Sequence, residues 1–278
     1  YIGTLITKDT TKDEIVKMMV GRVIYGDKKE KSTVPDNADV VLEVKNLCLG
    51  NEVKNVSFKL HRGEILGFAG LMGAGRTESA RAIYGADKKD YGEIYINGKK
   101  VNIKTPEQAV KHGICYLSED RKRYGLMLIK SVAENSVLAS IDNYIKCGWI
   151  NDKKISEDAE RVNALLKTKT PSMNQQLKNL SGGNQQKVIV ARWLLKNSDI
   201  FIFDEPTRGI DIGAKSEMYE LMEDLAKQGK SIIMISSELA EIQRLSDRVI
   251  VMCEGRITAD MDVSGATQEE IMKYATMR

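Results

Sequence analysis

The sequence is poor in the residues that build disulfide frameworks and metal cages. Its 278 residues include four cysteines and two histidines. Cys48, Cys115, Cys147 and Cys253 are scattered with no CxxC spacing, and His61 and His112 complete no zinc pattern with them. A chain of this size needs no disulfide framework, so these thiols are expected to be buried or neutral in a reducing cytosol. There is no run of about 18 apolar residues, which excludes a membrane-crossing helix within the sequence. No basic stretch followed by an apolar stretch opens the chain, so a secretory leader is not expected. An excess of one charge is also missing. Lys and Arg number 42 against 39 Asp and Glu, a net +3, too little to imply nucleic-acid binding by bulk basicity. What is present is a hydrophobic share of 42%, which supports a real core and argues against wholesale disorder. At about 150 residues per domain, the length allows one large domain or two small ones.

The chain opens with a strand-like stretch over 1–5, a capped short helix over 15–20, and then a polar, aperiodic segment that reads as a linker over 23–38. From residue 40 the pattern becomes α/β. Strands are expected at 40–44 and 53–60, and a nearly continuous apolar strand at 64–70, as for a central buried strand. Asn97-Gly98 marks a hairpin within 91–103. Residues 118–180 read as mixed and mostly helical. Further strands are expected at 199–204, 231–236 and 248–253, with helices at 77–84, 185–195 and 214–228. Strands alternating with helices imply a mainly parallel sheet covered on both faces. The end of the chain echoes its start: a strand, then a Thr-led helix entry containing Glu-Ile. Chance recurrence of a capping box explains this, or residues 1–22 are the tail of an earlier copy of the same domain.

Three segments carry chemistry. Gly70-Leu71-Met72-Gly73-Ala74-Gly75-Arg76-Thr77 fits a phosphate loop at every defined position except the lysine, which is Arg76. It follows an apolar strand and opens a helix, so Gly70, Gly73, Ala74 and Gly75 can turn backbone N–H groups toward phosphate oxygens. Thr77 offers a hydroxyl to Mg²⁺. Arg76 keeps the charge of lysine but not its compact geometry, and Glu78 adds a negative charge nearby. Each of these two departures costs phosphate binding about 1–3 kcal/mol. The apolar strand Phe201-Ile202-Phe203 ends in Asp204 and Glu205, placing Asp204 to hold Mg²⁺ and Glu205 to polarise an attacking water. Leu180-Ser181-Gly182-Gly183-Asn184-Gln185-Gln186-Lys187 makes a second helix start suited to an anion, with Ser181 expected as its cap.

Taken together, these motifs resemble the ATPase domains of ABC transporters. Ser181, Gly182, Gly183 and Gln185 resemble the signature motif. Phe201 to Glu205 resembles Walker B with its catalytic glutamate, running on to the D-loop at Asp211. The Asn-Gln-Gln-Lys ending, Ser118-Glu119-Asp120-Arg121-Lys122 and Glu205-Pro206-Thr207-Arg208-Gly209-Ile210-Asp211 resemble the second ATPase domain of monosaccharide importers of the ribose, galactose and xylose type. The resemblance covers about residues 40–278. It implies an α/β P-loop NTPase with a RecA-like core, an antiparallel β subdomain and a helical subdomain. The core would comprise 39–117 and 186–278, the helical subdomain 118–185, and residues 1–22 the tail of a first ATPase domain.

The same resemblance implies ATP and Mg²⁺ as cofactors, with Thr77 and Asp204 on the metal. It implies a partner ATPase domain in the N-terminal half of the same parent chain, and transmembrane permease subunits. It further implies an extracytoplasmic sugar-binding protein acting indirectly, no nucleic acid, and a peripheral place on the cytoplasmic face of the membrane. The sequence departs from the family at four nucleotide-contacting positions. Arg76 replaces lysine, Glu119 replaces the Q-loop glutamine, Ser237 stands for the switch histidine, and no aromatic lies near Cys48-Leu49 to stack on adenine. An asymmetric pair follows: an intact signature completing the partner's site, beside a degenerate phosphate site here. Two functions stay open, an ATPase domain driving sugar import and a non-hydrolytic nucleotide-binding scaffold that completes a partner's site. A DNA-repair or translation ATPase would show a basic surface or sustained heptads, and neither is present.

Overall fold

A computed structural model describes residues 28–277, together with Thr4, Ile6, Lys8, Thr10 and Met18 before them. The strand and helix expected within 1–22, and their reading as a preceding domain's tail, lie outside the continuous described stretch.

Two sheets form the body. In the first, β1 (Val40–Leu49) and β2 (Val53–His61) pair antiparallel, and β4 (Tyr91–Ile96) and β5 (Lys99–Val101) extend the order to β2-β1-β4-β5. The β4–β5 turn is the expected Asn97-Gly98 pair, both with positive φ, the geometry that matches strand twist. The second sheet has the order β12-β11-β3-β10-β9-β6. Its members are β3 (Ile65–Gly70), β6 (Ile114–Leu117), β9 (Ile200–Asp204), β10 (Ser231–Ile235), β11 (Arg248–Cys253) and β12 (Arg256–Asp262). All its neighbours are parallel except the β11–β12 hairpin at one edge.

The apolar runs that announce these strands are buried on both faces, and their period of two decides which layer each residue joins. Phe201, Phe203, Ile232, Met234, Val249 and Val251 face one core. That core is covered by α5 (Gly182–Leu195), α6 (Ile212–Lys227), α7 (Leu239–Leu245) and α8 (Gln268–Ala275). Ile200, Ile202, Ile233, Ile235, Ile250 and Met252 face the other, covered by the antiparallel sheet and by α1 (Arg76–Tyr84). The result is three layers with the parallel sheet in the middle.

Residues 106–180 carry α2 (Pro106–Lys111), a π-helical turn (Arg121–Gly125), α3 (Val132–Val137) and α4 (Asp152–Leu165). The stretch is mostly helical beyond β6, as expected, but it also holds an unforeseen hairpin of β7 (Ile145–Lys146) and β8 (Trp149–Ile150). The boundary read at 185/186 falls inside α5, which runs unbroken from Gly182. The segment expected as a linker is anchored where it is described. Asp247, buried after α7, accepts from Thr33 N–H (2.8 Å) and pairs with Lys29 (2.7 Å). Its other oxygen takes the Ile65 N–H at the start of β3 (3.0 Å).

Candidate functional site

Parallel strands deliver their carboxyl ends to one edge of a sheet, which is where open α/β folds place ligands. Here β3 ends at Gly70, β9 at Asp204, β10 at Ile235 and β6 at Leu117, and the loops that follow converge. They enclose a cleft of about 640 Å³ lined by Gly70 to Glu78, Glu119, Glu205, Arg208 and Ser237. The phosphate loop enters it as the sequence requires. Gly75 takes φ 96°, and a Cβ there would lie 2.4 Å from the Glu52 carbonyl, so only glycine lets the loop close against the β1–β2 turn.

Below the loop, the hydroxyl of Thr77 donates to Asp204 Oδ1 (3.0 Å) and the phenol of Tyr116 donates to Oδ2 (2.5 Å). Asp204 is only 1% exposed. Burial pushes its carboxyl above the usual carboxylate range, while the Tyr116 and Thr77 hydrogen bonds pull the other way. Burial also raises Tyr116, helped by the Asp204 charge, so the phenol keeps its proton and remains the donor. The oxygens of Thr77 and Asp204 are a hard donor pair suited to Mg²⁺. Among the described residues no group of three or more His, Cys, Asp or Glu forms a closed metal cage. A magnesium ion here would therefore share its coordination with phosphate and water, as that ion prefers.

Arg76 does not point into the cleft as a free cation. Its Nη1 donates to the Ser236 carbonyl (2.7 Å), and Nη2 lies 4.0 Å from Glu205 Oε1. Burial lowers its basicity, partly offset by Glu205, Asp204 and Glu78. Glu205 sits at φ 48°, its N–H donating to the Ile235 carbonyl (2.9 Å), and Ser237 donates to its Oε2 (3.1 Å). The serine standing for the switch histidine therefore touches the catalytic candidate directly. Glu119 pairs with Arg208 across the cleft mouth.

The turn after Glu205 is held from two sides. Glu241, 2% exposed, accepts from Thr207 (2.6 Å), Tyr219 (2.6 Å) and Ser236 (2.7 Å), with Lys215 at 3.3 Å. This hub ties the chain after β9 to the chain after β10. From the other side Arg121 donates to the carbonyls of Arg208 (2.9 Å) and Gly209 (3.4 Å).

The signature residues lie outside the cleft lining. Gly182 packs against the Arg121 guanidinium and Gly209, where a Cβ would come within 2.6 Å of Arg121 Nη2. One expectation needs correction. Ser181 precedes α5 but makes no side-chain cap; its Oγ accepts instead from the Asn184 amide (2.9 Å). Gln185 turns inward and donates to the carbonyls of Leu177 (3.1 Å) and Leu180 (3.2 Å), because its position on α5 faces the helical core. Its amide therefore holds the loop that precedes α5. Asp211 caps α6 through Ala214 N–H (2.9 Å). Sequence reasoning missed the roles of Tyr116, Arg121, Arg208 and Glu241. The only local signal for Tyr116 was a polar-tipped aromatic at the end of an apolar strand next to the Asp204 strand.

Comparison with known proteins decides the family. The profile described as "ABC transporter" matches residues 53–208. This chain belongs to the ABC transporter family. A putative ribose/galactose/methyl galactoside import ATP-binding protein of Halalkalibacterium halodurans is 51% identical over 278 residues, covering 99% of this chain and 52% of that protein. The ribose import ATP-binding protein RbsA of Clostridium tetani is 50% identical, covering 99% of this chain and 54% of its own length. The chain thus spans about half the length of the curated relatives it matches. Among solved structures, the ADP conformation of the MJ1267 ATP-binding cassette aligns with a TM-score of 0.70 at 23% identity, over 84% of this chain and 94% of that one. Dimeric MJ0796 bound to ADP and Pi aligns at 0.67 and 23%, over 81% and 100%. The expected P-loop NTPase architecture is thereby borne out as an ABC ATPase cassette fold.

Proposed function

We propose that this chain is an ATP-binding module of a sugar importer, the second of two tandem ATPase domains, working in a head-to-tail pair. The observation that carries the reading is the Thr77–Asp204 contact beneath the glycine loop with Glu205 beside it, a layout suited to Mg-ATP. The names of its relatives support ribose or galactose as the class of cargo. Backbone N–H groups of residues 73–77 hold the phosphates, Thr77 and Asp204 hold Mg²⁺, which supplies charge neutralisation at the phosphates, and Glu205 orients the attacking water. Ser181, Gly182 and Gly183 reach the partner domain's nucleotide, with Gln185 supporting their loop from behind.

The site in this chain turns over slowly. Arg76 is spent on Ser236, and no aromatic stands in sequence beside Cys48-Leu49, where the resemblance expects one for adenine. Permease subunits dock on the helical region, where Tyr124, Met127 and Ile129 are exposed. The loop bearing them is kept rigid by Arg192 and Asn135. The module sits on the cytoplasmic membrane face, with the sugar-binding protein reached only through the permease. A cysteine at Lys130 or Ser131 should crosslink to the permease in the assembled transporter.

A second reading, a scaffold that binds nucleotide without hydrolysis, is favoured by Ser237 in the switch position. Mg-ATP turnover of the chain and its Glu205→Gln variant separates the two. Slow turnover that vanishes on substitution supports the ATPase. Identical background rates in both proteins sink it in favour of the scaffold.

A further inference from the structure

By side-chain charge alone, leaving aside the loop N–H groups and a magnesium ion, the cleft does little to attract a triphosphate. Three carboxylates, Glu78, Glu119 and Glu205, line it against two guanidiniums, Arg76 and Arg208. One of those cations is already committed: Arg76 is buried and hydrogen-bonded to the Ser236 carbonyl. The other is built differently. The main chain of Arg208 is pinned on both sides, its N–H donating to the Glu205 carbonyl (3.1 Å) and its carbonyl accepting from Arg121 (2.9 Å). Its side chain is 66% exposed and pairs with Glu119, itself 38% exposed. A fixed base carrying an extended charged arm at the cleft mouth is the geometry of a residue that closes on a ligand.

We propose that Arg208 grips the terminal phosphate of bound ATP and that Glu119 holds the arm in reserve until nucleotide arrives. The proposal rests on the nucleotide reading given above. An exposed ion pair is weak, so the Glu119 contact is readily given up. A terminal phosphate offers the guanidinium fork a paired acceptor of higher charge. The same phosphate repels the Glu119 carboxylate, so the exchange is driven from both partners. The loop's N–H groups serve phosphates generally, whereas an arm on the β9–α6 connection reaches from the opposite wall. Arg208 therefore distinguishes ATP from ADP, a task that Arg76 cannot perform while it is tied to Ser236.

The test is calorimetric titration of this chain with Mg-ADP and with the magnesium complex of the β,γ-imido analogue of ATP. Arg208→Ala should weaken the imido analogue about tenfold or more and ADP less than twofold. Arg208→Lys should recover part of the loss, since the charge returns without the fork. Glu119→Gln should tighten the imido analogue about threefold, the scale of releasing an exposed pair. ADP binding by each variant doubles as the check that it is folded. Equal weakening of both nucleotides by Arg208→Ala, or none, overturns the proposal while leaving the nucleotide site standing. Failure of the unaltered chain to bind either nucleotide overturns the nucleotide reading, and this inference with it.

Discussion

Tyr116→Phe removes one oxygen and leaves the ring, which stacks on Tyr84 at 5.4 Å between centroids. Shape is preserved, so the change isolates the 2.5 Å hydrogen bond to Asp204 Oδ2. Asp204 is almost fully buried, and the variant strands one of its oxygens without a donor. An unmet buried acceptor costs about 1–3 kcal/mol, toward the upper end when it is charged. The sign with pH follows from linkage. Burial already holds the Asp204 carboxyl above its unfolded value, so the folded state binds the proton more tightly. Ionisation of Asp204 therefore works against folding, and stability tied to this group rises as pH falls through the folded value. Losing the Tyr116 donor raises that value further, because this bond opposed the effect of burial. Urea unfolding of both proteins without nucleotide or metal should show Tyr116→Phe less stable by ~2 kcal/mol at pH 7.5, with the gap narrowing as the pH is lowered far enough to protonate Asp204 in both folded proteins. A gap that stays constant down to the acid unfolding of either protein would refute the assignment of the loss to ionised Asp204. No gap at all would refute the hydrogen bond.

Two other perturbations probe parts of the framework. Arg192, buried between α3 and α5, donates to the carbonyls of Asn135 (2.8 Å) and Gly125 (2.6 Å) and to Asn135 Oδ1 (3.1 Å). Arg192→Met should cost ~2–4 kcal/mol in chemical denaturation and speed amide exchange at residues 125–131. Asp247→Ala should release residues 28–35 from the body, read as tryptic cleavage at Lys28, Lys29 or Lys31 well before the rest is cut, with a stability loss of ~2–4 kcal/mol.

The layered core was largely legible because both faces of the parallel sheet are apolar. Runs such as 199–204 and 231–236 announce buried strands without reference to the rest of the chain. The phosphate loop and the Asp204-Glu205 pair were legible for a similar reason, since each is written within a few consecutive residues. The β7–β8 hairpin was not, because its turn is Cys147-Gly148, both with positive φ, in place of the usual Asn-Gly. Tyr116, Arg121 and Arg208 were missed for another reason. Each acts on a partner 87 or 88 positions away, or across the cleft, and no local period encodes that pairing. The Ser181 cap was misjudged, and the inward turn of Gln185 not foreseen, because a motif names residue types, while the direction of a side chain is set by its place on the helix. Gln185 lands on the inner face of α5, and its amide goes to backbone carbonyls.

The Asp247 anchor has a mechanical consequence. One of its oxygens receives the upstream segment and the other receives the first amide of β3, the strand whose far end is the phosphate loop. β3 lies between β10 and β11, parallel to both, so a pull along it loads two ladders in shear together. Shear breaks many hydrogen bonds at once, whereas peeling breaks them singly. Tension arriving through residues 28–35 therefore enters the sheet at Asp247, through the covalent start of β11 and the first amide of β3. Both strands lead to the edge that carries the phosphate loop, so the load is shared by neighbouring ladders instead of peeling one strand away.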